Sequence, residues 1–445
     1  MDPRIAYVLQ TFRALYDVPD EIQILYGDLP SAANKLVRVK SHAGTFFDQE
    51  HDLNPEQLVF RQWYDRQIPF LFEDSDQNAI IEQSGDEVIV NYDIIAAAFY
   101  FLSGWQEFVT PSQDYADGRF PYRQSLQYRL DQPAVPWVNY YFDILKRAVE
   151  LAFEIELYAR RGETDFHLAV THDIDTLFSG WYQECYHAIR HGNILQPFRI
   201  LAERSGGPQG DPWYNLTWLY SLVRDMKANA TFYFLAETTS VDGNKQADYR
   251  LDDPLLRDLV HNLQQRGAEI AIHGSIGSHL DSSRLKSEMQ QLDAAVTGGR
   301  FHYLYYDIRN TPTVLRESGL QHDSTLGFAE QAGFRNAYAH PFYLYDLQHN
   351  ERTDILEIPL VIMDATLHHR QYMNLDPEEG LVRSLEIMEE LRKFHGAAAI
   401  LWHNSYFSDF KYRGWGEVFI ELLHYCRDQG GAAVSASELV PHYSI

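Results

Sequence analysis

From residue 166 almost to its end, this chain alternates short apolar runs with amphipathic ones, and no other feature restricts its fold so strongly. The strand candidates are "FHLAVTH", "ATFYFLA", "EIAIHG", "FHYLYY", "ILEIPLVIM", "AAAILWH" and "GAAVSA". Between them, "DDPLLRDLVHNLQQRG" and "PEEGLVRSLEIMEELRKFHG" have helical spacing, and the second closes on a C-terminal glycine. Repeated strand–helix–strand units imply parallel strands joined by crossovers. Over a stretch of this length they predict an α/β fold with a (β/α) barrel rather than an open sheet.

The first 160 residues read differently. "EIQILYG", "KLVRVKS", "QIPFLFE" and "GDEVIVNYD" are short strands separated by polar turns, followed by a buried helix in "DIIAAAFYFLSGWQEF" and a long amphipathic one in "VPWVNYYFDILKRAVELAFEIELYAR". The polar break "RRGETD" then marks a change of pattern. With 445 residues and 45% hydrophobic content, two units are expected: residues 1–162, a smaller mixed α/β domain of unknown role, and residues 163–445, the barrel.

Charge narrows the function. With 63 acids against 37 bases, the net charge of −26 disfavours phosphate backbones and anionic lipid surfaces, so neither nucleic acid nor a membrane surface is an expected partner. No window is long enough to span a membrane, and the N-terminal segment lacks the apolar core of a secretory signal. The two cysteines, Cys185 and Cys426, read as isolated reduced thiols. Together these point to a cytoplasmic protein. The 29 Tyr, 25 Phe and 8 Trp supply rings of the kind that line carbohydrate clefts.

The polar residues collect at strand ends. "HLAVTHDIDTLFSG" ends an apolar run with Asp173 and Asp175, "EIAIHG" ends near His273, and "AAAILWH" ends on His403. In a parallel barrel these ends converge on one face, where ligands bind. Residues i and i+2 of an extended segment point to one side, so Asp173 and Asp175 share a cavity. Two such carboxylates repel unless a cation intervenes. A divalent metal on one acid relieves that conflict and leaves the other free to act as a base. His273 is a candidate metal ligand, and His403 a candidate proton-transfer group.

In order and spacing these motifs resemble the polysaccharide deacetylases with a NodB homology domain (carbohydrate esterase family 4), over residues 165 to 440 or so. Thr171-His172-Asp173-Ile174-Asp175 is similar to the first family motif, Thr-Phe-Asp-Asp. The match implies Asp173 as catalytic base and Asp175 as metal ligand. "EIAIHGSIGSH" stands where the family has His-Ser/Thr-x-x-His, so His273 matches the first histidine ligand. Arg300 and Tyr303 match the ends of Arg-Pro-Pro-Tyr, implying an arginine that pairs with the base and a backbone N–H that holds the oxyanion. Asp323-Ser324 looks like motif four, and Leu401-Trp402-His403 like the closing Leu-x-His, with His403 as general acid. The resemblance implies a distorted barrel of the NodB type. The front half resembles an uncharacterised domain found ahead of this barrel in one bacterial subgroup.

The chain departs from the family pattern at two places. Gly277 occupies the position of the second metal histidine, and His279, two residues on, is a substitute only if the loop folds back. Gly327-Phe328 replace the Asp-Trp that completes motif four, so the group orienting His403 is open, with Asp364 or the pair His368-His369 as candidates. The expected activity is a metal-dependent hydrolase, zinc first among the metals, that removes acetyl groups from N-acetylated sugars or a surface-polysaccharide precursor. Two alternatives stand beside it. One is a metal amidase for small amides; the other is a catalytically impaired barrel that binds glycan or a partner.

Overall fold

The computed structural model describes residues 2–31, 33, 35–42, 44, 53, 58–72, 79–111, 115, 118–160 and 164–443. In the N-terminal half, β1 (Ile24–Tyr26), β2 (Leu36–Val39), β5 (Ile81–Ser84) and β6 (Glu87–Val90) form a four-stranded sheet in the order β1-β2-β6-β5. β3 (Val59–Trp63) and β4 (Arg66–Phe70) make a separate antiparallel hairpin. Helix Ile94–Leu102 is buried along its whole length, as its unbroken apolar sequence requires, and the helix Trp137–Phe153 packs beside it. The boundary expected between residues 162 and 163 lies outside the described residues.

The second half is a barrel. Its strands are β7 (His167–Ile174), β8 (Thr231–Leu235), β9 (Glu269–Gly274), β10 (Gly298–Phe301), β11 (His322–Asp323), β12 (Phe342–Asp346), β13 (Glu351–Glu357), β14 (Leu360–Met363), β15 (Ala397–Leu401) and β16 (Ala432–Val434). All neighbours are parallel except β12, which folds back on β13. Closure depends on one bent segment. "ILEIPLVIM" is not a single strand: β13 pairs with β11, the chain turns at Ile358-Pro359, and β14 pairs with β15. Its two halves therefore join the two ends of the sheet, closing the ring β7-β8-β9-β10-β11-β13/β14-β15. Proline has no N–H to give a ladder, so a break there costs the sheet little. The barrel expected from the alternation, in the distorted form that the resemblance implied, is the architecture found.

A second expectation needs correction. "FHYLYY" is not a strand. β10 ends at Phe301, and the chain turns through Tyr303 (φ 58°) and Leu304 (φ 56°), both left-handed. The strand is instead "GGRF", where a Cβ on Gly298 would stand 1.9 Å from the His322 ring. Close approach of β11 demands glycine there, at the expense of strand propensity.

The two halves share one apolar core that runs from Tyr7 and Phe12 through the N-terminal sheet into the barrel. Arg335 of the barrel and Glu107 of the front half form a buried bidentate pair, at 2.8 and 2.6 Å. Tyr7 donates its hydroxyl hydrogen to the Tyr343 carbonyl at 2.8 Å.

Candidate active site

The carboxyl ends of β7, β9, β10, β14 and β15 converge on a pocket of about 210 Å³ lined by Asp173, Asp175, His273, His302 and His403, among others. Asp173 sits inside β7, buried, and Asp175 follows its last residue. Their alternate placement on extended chain turns both side chains into the pocket.

Arg300, fully buried on β10, is the cation that faces Asp173. Its Nη1 donates to Asp173 Oδ1 at 2.9 Å and to Thr171 Oγ1 at 2.8 Å. Its Nε and Nη2 donate to the Ser324 carbonyl (2.7 Å) and hydroxyl (2.8 Å), and the guanidinium lies 4.6 Å over the Tyr233 ring. Every part of this side chain is held, so Asp173 is held with it.

Asp175 faces histidines instead. Its Oδ1 lies 3.4 Å from His273 Nε2 and 3.4 Å from His302 Nδ1, and those nitrogens are 3.1 Å apart. His273 Nδ1 is 2.9 Å from the Arg300 carbonyl, and His302 Nε2 is 3.0 Å from that of Lys245. A carbonyl only accepts, so each of these ring nitrogens carries a hydrogen, and the lone pairs of both rings are left facing each other beside a carboxylate oxygen. Asp175 Oδ1 has no hydrogen-bond donor. Three lone-pair donors so close require something positive among them. The ligand atoms of a tetrahedral ion at ~2.0–2.1 Å stand about 3.3–3.4 Å from one another. The spacing and donor set of Asp175, His273 and His302 fit a divalent metal, and among the described residues no other such group occurs.

His279 does not join this group. Its ring stacks on Tyr305 at 5.5 Å and meets the edge of Phe301, and burial pushes its imidazole down to about 4. The third donor is His302, at the position of the second proline of the matched Arg-x-x-Tyr motif. A histidine beside Arg300 at a strand end was the available sign, but only the left-handed turn at Tyr303 and Leu304 brings its ring back onto His273.

His403 follows β15 and turns its Nε2 toward Asp175 Oδ2, 3.6 Å away. Its Nδ1 is 2.7 Å from Asp364 Oδ1, and its backbone N–H donates to Asp364 Oδ2 at 2.6 Å. Asp364, directly after β14, is thus the residue that orients His403. Burial pushes this imidazole down, but the Asp364 carboxylate, followed by Asp175 and Asp173, outweighs it and raises the group to about 10. His368 lies apart, against Tyr406, Tyr412 and Trp415. Tyr303 lines the pocket mouth, and Arg119 of the front half donates to its carbonyl at 3.0 Å. Asp323 and Ser324 lie behind Arg300 rather than at His403.

Outside the pocket a cleft of about 1160 Å³ continues past Tyr303, with walls from both halves: Tyr115 and Arg119 on one side, Tyr305 and Tyr372 on the other. No helix among the described residues is long and apolar enough to cross a membrane.

Residues 3–154 match a family described only as a family of unknown function (DUF7033). No curated protein matches the chain. Among solved structures, the chain is similar to a presumed polysaccharide deacetylase of Mycobacterium smegmatis, at 16% identity and a TM-score of 0.41, over 63% of this chain and 91% of that one. It is similar to a probable polysaccharide deacetylase of Pseudomonas aeruginosa PAO1 at 11% identity and 0.41, over 63% and 92%. The catalytic domain of peptidoglycan N-acetylglucosamine deacetylase of Eubacterium rectale matches at 9% and 0.30, over 60% and 87%. At these TM-scores the likeness carries no weight of its own; the barrel rests on the strand pairing described above.

Proposed function

We propose that this chain is a metal-dependent hydrolase that removes acetyl groups from N-acetylated sugars, with Asp175, His273 and His302 holding the ion. The observation that carries the reading is the triangle of facing lone pairs on those residues, set between a carboxylate clamped by an arginine and an imidazole clamped by a carboxylate. Zinc suits the nitrogen-rich donor set best. A divalent ion there supplies Lewis acidity at the pocket floor.

The remaining chemistry falls to the chain's own side chains. Asp173 takes a proton from the attacking water, and Arg300 and Thr171 keep its carboxylate aimed. The new carbon–oxygen bond pushes charge onto the acetyl oxygen, where the Tyr303 backbone N–H is the available donor. His403 donates its Nε2 proton to the sugar nitrogen as the carbon–nitrogen bond breaks, releasing acetate and the amine. Asp364 keeps the other ring nitrogen occupied, so the proton faces the pocket. The aromatic cleft favours a sugar chain over a small amide, since flat rings pack on sugar faces. Tyr115 and Arg119 bring the front half into that cleft, supporting a role for it in substrate choice and none in the chemical step.

The test is release of acetate from a β-1,4-linked N-acetylglucosamine pentamer by the full-length protein, with metal content measured on the same sample. The expected result is one metal per chain and turnover that disappears with a chelator and returns with zinc. A metal-loaded protein that releases no acetate from acetylated sugars of any length overturns the reading. Tyr115→Ala, in the outer cleft only, should weaken turnover of the pentamer while leaving that of N-acetylglucosamine itself unchanged.

A further inference from the structure

The overall charge of −26 disfavours anionic lipid, but it is unevenly spread. After β7 the chain forms a hairpin of two helices, Gly180–Arg190 and Gln196–Arg204, packed on each other. Residues 185–202 contain no acid, in a chain where 63 of 445 residues are acidic, while Arg190 and Arg199 are exposed. Of the flanking acids, Glu203 pairs with Arg199 at 3.2 Å, and Glu184 is buried, accepting from the Phe410 and Lys411 amides.

The same hairpin exposes apolar side chains at helical spacing. Tyr182, Tyr186 and Ile189 follow one stripe of the first helix. At the tip, Ile194, Leu195 and Phe198 are 67%, 74% and 72% exposed. Helices of globular proteins turn such stripes into a core. Here the packed positions are Ala188, Glu184 and Ile200, and the apolar stripes face solvent. Elsewhere among the described residues, exposed large apolar side chains come singly, such as Leu29 and Val382, or in pairs, such as Phe60 with Tyr64 and Ile155 with Tyr158.

We propose that this hairpin is an interfacial element that inserts its tip into the surface of an anionic lipid bilayer. An amphipathic pair of helices with arginines beside exposed Ile, Leu and Phe has the composition of an interfacial anchor. Charge complementarity selects the bilayer over a second copy of the chain, because two such hairpins face to face bring Arg190 and Arg199 against like charges. Acids elsewhere on the surface are screened beyond about 8 Å at physiological salt. Position adds a consequence. The first helix begins five residues after Asp175, and its base is tied by Glu184 to the loop that follows His403. Docking therefore brings the site end of the barrel to the membrane, where a sugar carried on a lipid presents itself. The surface itself does not depend on the proposed activity.

The experiment is co-sedimentation of the full-length protein with vesicles of phosphatidylcholine alone and with vesicles containing about 30% phosphatidylglycerol, read at two salt concentrations. The wild type should bind the anionic vesicles at least ~tenfold more tightly, and less at high salt. Leu195→Ser with Phe198→Ser, and separately Arg190→Glu with Arg199→Glu, should each weaken binding at least ~tenfold without changing the melting temperature. A wild type that stays in the supernatant with both vesicles overturns the proposal. So does anionic-vesicle binding that both double variants retain. A dimer that the Leu195→Ser, Phe198→Ser variant dissociates in analytical ultracentrifugation also overturns it, assigning the face to a second copy.

Discussion

The barrel contains two pairs of close carboxyl groups, one at its pocket and one sealed in its core, and it resolves their repulsion in opposite ways. Asp173 and Asp175 lie two apart on one strand and face cations or cation sites: Arg300 for the first, and the imidazoles of His273 and His302 for the second. Asp323 and Glu357 are direct partners across β11 and β13, and both are fully buried. Their direct donors are neutral, the Thr325 amide and hydroxyl for Asp323 and the Leu326 amide for Glu357. Burial first, and then the neighbouring Asp323 carboxyl, push Glu357 well above its ordinary 4.5. Of the two, Glu357 is the group displaced furthest toward its protonated form. The first pair opens to a pocket at Asp175, where a cation can come and go, while the second is sealed behind Arg300. A close acid pair is thus a sign of chemistry only where its counter-charge can come and go.

The largest expected effect breaks the first pair. Asp173→Asn should lower acetate release by ~10³-fold or more while metal content stays unchanged, since the amide keeps the shape but accepts no proton. Loss of metal in that variant would exchange the roles of the two acids. Next comes the metal set. His302→Ala should release the ion at chelator concentrations that leave the wild type loaded, whereas His279→Ala should retain it. Equal retention by both would remove His302 from the ligand set. Asp364→Asn should cost about 10–100-fold in turnover with the metal still bound, because a positioning partner is lost rather than a ligand. A shift in the pH profile of turnover should accompany it, which a purely structural change would not produce.

The smallest effect tests the second pair. A carboxyl raised on folding binds its proton more tightly in the native state, so stability falls as pH rises above about 4.5 toward the folded value. Glu357→Gln removes that titration. Between pH 5 and pH 9, denaturant midpoints of the variant should fall less steeply than those of the wild type, while its metal content is unchanged. A parallel pH dependence would mean that the Asp323–Glu357 pair is not the protonated one.

The sequence by itself determined the barrel and most of the pocket. Alternating strands and helices leave parallel closure as the economical solution, and parallel strands collect their carboxyl ends on one face. Asp173, Asp175, His273 and His403 could therefore be placed together from their positions alone, and Arg300 joined them only through the motif it resembles. Tertiary structure decided what those residues touch. His302 reaches His273 because β10 ends early and the chain turns through two left-handed residues, and the glycines that set this strand's register have no apolar signature. Asp364 meets His403 because a bent strand closes the ring and lays β14 beside β15. Spacing along one strand is a local property, legible in a string of residues. Distance between side chains on different strands depends on register, turn and closure, which only the packed molecule fixes.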